Sequence, residues 1–329
     1  MIGVCIVTYN HENFIAKAIE SVLMQQDCGH KVVAYIGNDR STDKTGEICL
    51  NYATRYPENV VLIENEHNLG LVKNTFALFK RMQDDGCDYI AMLDGDDYWC
   101  DTKKLSKLIK CFEENINCGL VHTNIALQYG DKIDLNIRTN IPSGNVWPCK
   151  FAIGNCSVIF KTELLKHIDE QAYVDCKFMS VDYPMYITLS KYTELYFLED
   201  ITAVWRRGHS SVSNTNSIQK QIGYLQNGAR MWKYLDDLFG IYDATEDNVN
   251  KWIDYATFQI AFDYNDYKLA HSLHKKLSRS GLNFKIKKLS ASNKLFFKIY
   301  TFFDKRRKMG KEAKYITMEE FKEYLKYNY

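Results

Sequence analysis

In the stretch Tyr89-Ile90-Ala91-Met92-Leu93-Asp94-Gly95-Asp96-Asp97-Tyr98-Trp99, five mostly apolar residues are followed by three aspartates within four positions. A short apolar run of this kind is typical of a buried parallel strand, and because Asp is depleted in strands, the acids should lie just beyond its carboxyl end. Like charges this close repel one another unless a cation lies among them. The stretch therefore predicts a divalent-cation site or, as the simpler alternative, a surface turn in which Asp94 and Asp96 cap the next helix.

Strand-like and helix-like patterns alternate three times before this stretch. Short runs of apolar, often β-branched residues are each followed by a segment in which apolar residues recur at helical spacing. Such alternation is typical of an α/β fold with a parallel sheet and right-handed crossovers. The predicted strands are 2–7, 32–36, 60–63 and 89–93, and the predicted helices are 13–25, 45–56 and 72–83.

A cluster of polar side chains follows each predicted strand. These clusters are Thr8-Tyr9-Asn10, Asn38-Asp39, Asn68 and Asp94-Gly95-Asp96-Asp97. Because the carboxyl ends of such strands share one edge, where open sheets bind ligands, the clusters should meet there, which argues against the surface turn. The chain has neither G-x-G-x-x-G nor G-x-x-x-x-G-K-[ST], so bound phosphates would need a metal or basic residues.

Length and composition describe an ordinary globular protein. The 329 residues, 46% hydrophobic and 25% charged, allow one large domain with an appendage, or two domains. The ten cysteines are scattered without C-x-x-C pairs, which suits reduced thiols better than a disulfide framework. The first residues lack the basic region of a signal peptide, and no run approaches the roughly 18 apolar residues that span a bilayer. We expect a cytoplasmic protein.

Taken in order, the polar clusters resemble the successive motifs of glycosyltransferase family 2. The resemblance extends over about residues 1–215 and implies an inverting enzyme that uses nucleotide-sugar donors, with a GT-A fold, which is Rossmann-like with a mostly parallel central sheet. In two places the chain departs from the family: Asn38 stands where an Asp is common, and Lys73 replaces a frequent Arg, which keeps a cation but loses bidentate geometry. The motifs that carry the resemblance are Thr8-Tyr9-Asn10, Asn38-Asp39-Arg40-Ser41-Thr42-Asp43, Asn68-Leu69-Gly70 with Lys73-Asn74, and Asp94-Gly95-Asp96-Asp97.

The resemblance implies donor-binding roles for these residues. Asp39 would accept a hydrogen bond from the uracil ring, in a base pocket shaped by Thr8 and Tyr9. One acid would hold the ribose and a neighbour would bind the Mn²⁺ or Mg²⁺ that bridges the diphosphate; Asp96 is favoured over Asp97 for the metal, but the choice stays open. The predicted donor contacts are Thr8, Tyr9, Asn10, Asp39, Asn68, Lys73, Asp94, Asp96, Asp97 and Arg206.

A catalytic base is expected at Asp182. Inversion by a single displacement needs one group to take the acceptor hydroxyl's proton while its oxygen attacks the anomeric carbon. Asp182 stands where the family carries an acidic pair, although Val181 replaces the first acid, and an Asp at a helix start can also be only a cap. The predicted acceptor contacts are Trp99 and Asn155; for Asn155 an ordinary strand entry is the alternative.

The segment Trp205-Arg206-Arg207-Gly208-His209, with the serines after it, resembles the closing loop of the family. The resemblance implies that Arg206 stabilises the leaving phosphates and that His209 reaches the metal. The predicted metal ligands are therefore Asp96, Asp97 and His209, and a solvated loop is the alternative for this segment. His122, in contrast, lies in an apolar run and is interpreted as a core histidine.

The C-terminal third has a different pattern. Residues 218–277 show helical spacing with many aromatics, so we predict a GT-A domain over 1–215 and a helical extension over 216–329. Residues 283–314 carry nine Lys and two Arg against two acids, a local charge of +9 in a chain of net charge +1. Phe and Leu beside clustered lysines suit peripheral membrane contact with anionic lipid; a solvated basic helix is the alternative, and nucleic acid fits less well.

We predict a metal-dependent inverting transferase of hexosyl or N-acetylhexosaminyl groups, with Mn²⁺ or Mg²⁺ as cofactor. It would move the sugar from a uridine diphosphate donor to a hydroxyl of a glycan or lipid-linked oligosaccharide in polysaccharide biosynthesis, at the inner face of the cell membrane or free in the cytoplasm. A nucleotidyltransferase stays open, although the expected Gly-rich loop is replaced by Tyr9-Asn10-His11-Glu12. A catalytically silent nucleotide-sugar-binding module would account for Asn38 and Val181.

Overall fold

The computed structural model describes residues 1–135, 142–147, 153–208, 217–277, 282–309 and 315–328. These residues form two compact units. The first contains the residues up to Gly208 together with 315–328, and the second contains 217–277 with 282–309. A mixed sheet of ten strands runs through the first unit, and the described residues of the second unit are helical.

The first unit begins with the predicted alternation of strands and helices. The elements are β1 (Ile2–Thr8), α1 (Ile15–Leu23), β2 (Val32–Asn38), α2 (Thr45–Arg55), β3 (Val60–Glu64), α3 (Leu71–Asp84) and β4 (Tyr89–Asp94). The strands pair in parallel in the order β3-β2-β1-β4, which confirms the predicted parallel sheet. The register sets Thr8 beside Asn38 and Val7 beside Asp94, so the strands end at one edge.

Helix α1 illustrates why these segments fold as they do. Its apolar residues Ile15, Ala18, Ile19 and Val22 recur at helical spacing, and all four are buried in the core beside the sheet. Strand β1 is buried along its whole length, as expected of a parallel strand covered on both faces. This packing fixes the strand ends that carry the polar clusters.

The sheet continues with shorter and less regular elements. They are β5 (Tyr98–Trp99), α4 (Lys104–Glu114), β6 (Cys118–Tyr129), β7 (Lys132–Asp134), β8 (Ile159–Lys161), α5 (Glu170–Asp175), α6 (Asp182–Tyr192) and β9 (Glu194–Arg207), with 3₁₀ turns at Asn155–Ser157 and Thr162–His167. Strand β8 pairs antiparallel with β4 and β6, while β9 runs parallel to β6 and antiparallel to β5. The sheet thus extends beyond its parallel part.

Strand β9 is an element that the sequence pattern does not predict. Glu199 and Asp200 interrupt its apolar run. In the structure its register with β6 passes from Leu198 to Ile201, and this irregularity accommodates the two acids. The consequence for function is that β9 delivers Arg206 next to the end of β4.

The second unit confirms the predicted helical extension. Its helices are α7 (Ile218–Phe239), α8 (Glu246–Asp263), α9 (Tyr267–Leu273), α10 (Leu282–Ala291) and α11 (Lys294–Met309). The side chains of Ser217, Thr245 and Asp266 cap the first three by accepting backbone N–H bonds. Several of its aromatic residues form a core, in which Phe258, Phe262 and further apolar residues of α9 to α11 pack together, whereas Tyr224 and Trp252 are exposed.

The chain ends with strand β10 (Tyr315–Thr317) and helix α12 (Met318–Asn328), which belong to the first unit. Strand β10 pairs antiparallel with β7, and Phe321 of α12 is buried in a cluster with Tyr98, Ile133 and Val204. This segment lies within the predicted extension 216–329, and the division at residue 215 stays a prediction.

Several smaller expectations also have outcomes. His122 is buried with its ring against Phe197, which confirms a core histidine. The nine described cysteines carry free thiols. Within the described ranges, no helix is both long enough and apolar enough to cross a bilayer.

Candidate active site

The ends of β1 and β4 lie against each other at the centre of the site. The Gly95 backbone N–H donates to the Val7 carbonyl at 2.9 Å. A Cβ at position 95 would lie 2.8 Å from the Cβ of Thr8 and 2.9 Å from Nδ1 of His11. Only glycine therefore lets the acidic turn approach β1 this closely, which explains the glycine within Asp94-Gly95-Asp96.

Asp39 lies at the end of β2 and is held by the loop before α3. Its buried carboxylate accepts hydrogen bonds from the backbone N–H groups of Leu69 at 2.7 Å and Gly70 at 2.9 Å, and from Nδ2 of Asn65 at 3.0 Å. Asn68 donates from Nδ2 to the Asp39 carbonyl at 3.0 Å. A carboxylate has about four acceptor positions, so capacity remains for a ligand donor.

Two asparagines that the sequence analysis did not assign support Asp39. Asn74 donates from Nδ2 to the Gly37 carbonyl at 2.8 Å, and its Oδ1 accepts from Asn65 at 3.0 Å. Both asparagines are buried, whereas the neighbouring Lys73 is exposed. Amides buried at strand and helix ends are the signal that could have identified them.

Tyr9 and Asn10 follow β1. Tyr9 is 44% exposed, as a surface offered to a flat ring would be. Asn10 instead braces the loop after β2: its N–H donates to Oγ of Ser41 at 3.0 Å, and its Oδ1 accepts from the Thr42 N–H at 2.8 Å. A cavity of about 260 Å³ lies beside this loop and includes Asn38 and Asn65 in its lining.

Asp94, Asn155, Tyr186 and Asp182 come together although they are far apart in the sequence. Nδ2 of Asn155 donates to the two carboxylate oxygens of Asp94 at 3.0 and 3.1 Å, and the Tyr186 hydroxyl donates to Oδ1 of Asn155 at 2.6 Å. Burial raises the pKa of Asp94 to about 7, and the charges of Asp96 and Asp182 act in the same direction. The predicted acceptor contact Asn155 is thus a direct partner of Asp94, one of the predicted donor contacts.

Arg206 meets the other two acids. Its backbone N–H donates to Oδ1 of Asp97 at 2.8 Å, and its Nη1 donates to the Asp96 carbonyl at 2.8 Å. The guanidinium lies 4.5 Å from the centre of the Tyr98 ring, which fixes its plane. Burial raises the pKa of Asp97 well above its ordinary value, with Asp96 and Asp94 adding to the effect.

Asp182 is the first residue of α6. The N-cap is Val181, whose side chain makes no capping hydrogen bond. Burial raises the pKa of Asp182, and hydrogen bonds from the Tyr183 backbone and the Ser180 side chain only partly oppose this. A carboxylate with raised proton affinity beside Asp94 is suited to taking up a proton.

Trp99 lies in the hydrophobic core and is only 3% exposed. Its Nε1 donates to the Cys156 carbonyl at 3.0 Å, and Nζ of Lys104 donates to the same oxygen at 3.0 Å. Lys104 also reaches Oγ1 of Thr202 at 2.9 Å, and burial lowers its pKa to about 8. The structure therefore does not bring Trp99 to an acceptor surface; together with Lys104, which the sequence analysis overlooked, it holds the turn that carries Asn155.

A divalent cation is compatible with the oxygen donors present. Among the described residues, no group of three or more His, Cys, Asp or Glu is arranged as a metal site, and His209 lies outside those residues. Mg²⁺ is commonly held by one or two carboxylates together with substrate phosphates. Burial and mutual repulsion raise the pKa of Asp94 and Asp97, and at Asp97 the charge of Arg206 opposes this effect. The residues fit a cation held jointly with a diphosphate.

Comparison with known proteins agrees with this geometry. Residues 3–155 match the family model described as Glycosyl transferase family 2. A dTDP-rhamnosyl transferase, RfbG from Shigella flexneri, is 31% identical over 123 residues, which are 37% of this chain and 41% of RfbG. The chain spans only about 41% to 57% of the length of the first curated relatives it matches.

Solved structures share the fold at low sequence identity. S. aureus TarS 1-349 in complex with UDP-GlcNAc superposes with a TM-score of 0.55 at 16% identity, covering 88% of this chain and 79% of that one. The mannosyltransferase PcManGT from Pyrobaculum calidifontis, in complex with GDP-Man and Mn2+, gives 0.54 at 11% identity, covering 92% and 87%. The fold is therefore that of the GT-A enzymes, and residues 3–155 of the chain are similar in sequence to glycosyltransferase family 2.

Proposed function

We propose that this protein is an inverting glycosyltransferase that moves a hexosyl or N-acetylhexosaminyl group from a uridine diphosphate sugar to a hydroxyl group. The observation that carries the proposal is the pair of hydrogen bonds, Tyr186 to Asn155 and Asn155 to Asp94, that joins Asp94 to the helix that Asp182 begins. Asp94 and Asp182 are 88 positions apart in the sequence, yet their charges interact at the edge of the sheet where β1, β2 and β4 end. A donor-site acid and a candidate base share one location.

In this proposal the base and ribose bind beside β1 and β2. Asp39 accepts a hydrogen bond from N3–H of a pyrimidine ring, and the exposed ring of Tyr9 packs on it, while Thr8 closes the floor of the pocket. Asn68 keeps Asp39 in place by donating a hydrogen bond to the backbone carbonyl of Asp39. Asp94 receives the ribose hydroxyls. Asn10 acts by bracing the loop after β2.

The diphosphate binds at the acidic turn. Asp96, or Asp97 in its place, would hold Mn²⁺ or Mg²⁺ together with the phosphate oxygens, and the bound ion would supply positive charge to the leaving diphosphate. Lys73 is exposed on the first turn of α3, and Arg206 contacts the same turn of acids. Both add positive charge where the leaving group accumulates negative charge. We also propose His209 as a ligand.

Transfer proceeds in one displacement. The acceptor oxygen forms a bond to the anomeric carbon, its proton passes to Asp182, and the bond from that carbon to the phosphate oxygen breaks with its electron pair leaving on the nucleoside diphosphate. The raised pKa of Asp182 makes it a stronger base than an ordinary aspartate. The hydrogen-bonded series Tyr186, Asn155 and Asp94 keeps the donor site in register with this base.

The proposed acceptor is a glycan or lipid-linked oligosaccharide in polysaccharide biosynthesis. RfbG is a dTDP-rhamnosyl transferase by name and TarS binds UDP-GlcNAc, which supports the use of a nucleotide-sugar donor. A lipid-linked acceptor would bring the protein, from the cytoplasm, to the inner face of the cell membrane. The basic residues 283–314 are the part of the chain whose composition suits that surface.

Release of free nucleotide tests the proposal. The protein with Mn²⁺ is incubated with UDP-glucose, UDP-galactose, UDP-GlcNAc, dTDP-rhamnose and GDP-mannose, and nucleoside diphosphate is measured. We expect slow hydrolysis of a uridine donor that EDTA abolishes. Asp96→Asn should remove donor binding, while Asp237→Asn, an exposed carboxylate of α7, should match the parent protein. Binding of UDP sugars without any turnover, with or without acceptor glycans, would instead identify a silent binding module.

A further inference from the structure

Helices α10 and α11 each present a second apolar face. Phe284 and Ala291 of α10, and Phe297 of α11, point into the core of the second unit. Five other large apolar side chains on these helices are between 45% and 65% exposed. They are Ile286, Leu289, Leu295, Phe296 and Ile299.

Most of these exposed residues lie on the sides of the helices opposite the core. At about 100° per residue, Ile286 and Leu289 lie opposite Phe284, and Leu295 and Ile299 lie opposite Phe297. Phe296 lies about 100° from Phe297, on the flank of α11. Because both helices pack onto the same cluster with their inner faces, their outer faces turn away from it. The apolar residues therefore form an outward surface, which we call the α10–α11 face.

The segment of sequence that contains this face is strongly basic. From Tyr267 to Phe303 the sequence contains nine Lys or Arg and no Asp or Glu. Lys285, Lys294 and Lys298 are exposed on α10 and α11 themselves. Lys287 and Lys288 turn inward, where they donate to Gln259 and to the Leu277 carbonyl. The exposed part of the face thus combines apolar side chains with three cations.

We propose that the α10–α11 face binds the surface of an anionic lipid membrane. Apolar side chains can enter the boundary between headgroups and acyl chains while the lysines stay at the level of the phosphates. The inference rests on the proposed function, because membrane binding would bring the protein to a lipid-linked acceptor. The face itself is identified by exposure and charge alone.

The same observations argue against other occupants. A second copy of the chain placed on this face would bring lysine against lysine without acids to pair them, which is unfavourable. Nucleic acid would use the lysines but leave the five apolar side chains unused. Only a surface that is both anionic and apolar within a few ångströms of depth satisfies both features.

Co-sedimentation with vesicles tests the proposal. The protein is mixed with two kinds of vesicle. One contains phosphatidylcholine with about 30% phosphatidylglycerol, which supplies an anionic surface that attracts basic segments, and the other contains phosphatidylcholine alone. We expect binding to the anionic vesicles that weakens in high salt. The triple variant Lys285→Gln, Lys294→Gln, Lys298→Gln should bind on the order of 100-fold more weakly, at about 5-fold for each lysine.

An apolar triple variant tests the other half of the face. Leu289→Gln, Leu295→Gln, Phe296→Gln should also lose vesicle binding, and because these side chains are exposed, its thermal unfolding should match the parent protein. The matched controls are Met24→Gln, Ile116→Gln, Leu238→Gln for exposed apolar residues and Lys80→Gln, Lys110→Gln, Lys166→Gln for exposed lysines. Both controls should bind vesicles normally.

The outcomes separate this inference from the proposed function. Equal binding to neutral and anionic vesicles, or a parent protein that dimerises through this face in light scattering, would overturn the inference. Both triple variants should release UDP from a donor in solution at the parental rate. A protein that binds anionic vesicles but never turns over a sugar donor would keep the membrane face and refute the transferase.

Discussion

At the scale of single residues, Asp182 is the group on which the proposed chemistry depends. Its carboxylate begins α6 beside Asp94, and burial raises its pKa. Asp182→Asn keeps the shape but removes the proton acceptor, so kcat should fall by about 10² to 10⁴. Donor affinity, measured by calorimetry, should change less than about 3-fold. In the parent protein kcat/KM should decline as pH falls through this raised pKa; a decline only near pH 4 would contradict the assignment.

Asp94 gives a second prediction at this scale, in the absence of metal and nucleotide. Its pKa is about 7 in the folded protein, against about 3.9 in an unfolded chain. The folded state therefore binds more protons, so the penalty of the buried charge is complete above pH 7, shrinks as pH falls and is gone below about pH 4. Asp94→Asn should raise the unfolding temperature by about 3 °C at pH 8.

The same substitution should help less at lower pH. At pH 5 Asp94 is already protonated in most folded molecules, so the gain over the parent protein should be clearly smaller than at pH 8. Asp237→Asn should show no pH-dependent difference, since its carboxylate is exposed. An equal gain at both pH values would mean that charge burial is not the cause.

At the scale of elements, the 3₁₀ turn Asn155–Ser157 connects the core to the site. The Cys156 carbonyl accepts hydrogen bonds from Trp99 and Lys104, and Asn155 donates one to Asp94. Lys104→Met removes one donor and should lower kcat/KM by about 10-fold, because Asn155 and Asp94 then lie less accurately beside Asp182. Lys110→Met, an exposed lysine of the same helix, should leave kcat/KM unchanged.

The pH dependence of unfolding identifies the buried charge of Lys104 itself. Its pKa is about 8 when folded, against about 10.4 when unfolded. Its charge therefore destabilises the fold below pH 8, and that cost disappears as pH rises towards 10.4. Between pH 8 and 10 the parent protein should gain about 2 kcal/mol relative to Lys104→Met in urea unfolding. A constant difference would refute the buried ammonium.

At the scale of the whole molecule, the end of the chain supports the start. Phe321 of α12 is almost fully buried in the same apolar cluster as Tyr98, and the guanidinium of Arg206 lies over the Tyr98 ring. Phe321→Ala should cost about 3–5 kcal/mol of unfolding free energy and weaken nucleotide binding, measured under conditions in which the variant is folded. Phe297→Ala, a buried residue of the second unit, should cost a similar amount without changing nucleotide affinity.

The sequence by itself determined the positions of the first four strands along the chain, the shared edge at which they end and the acids placed there. These features depend on patterns within a few residues, namely the period of apolar side chains and the polar residues that follow each strand. The same patterns predicted that Asp182 begins a helix and that residues 218–277 are helical.

Only the tertiary structure decided which distant residues meet. In the structure Asn155 donates to Asp94, and Trp99 is buried in the core. Strand β9 brings Arg206 into contact with the acids, and Phe321 packs in the first unit. Each of these contacts joins segments separated by more than fifty positions. Their choice depends on how elements pack and on which buried groups find hydrogen-bond partners, and no local period in the sequence records that.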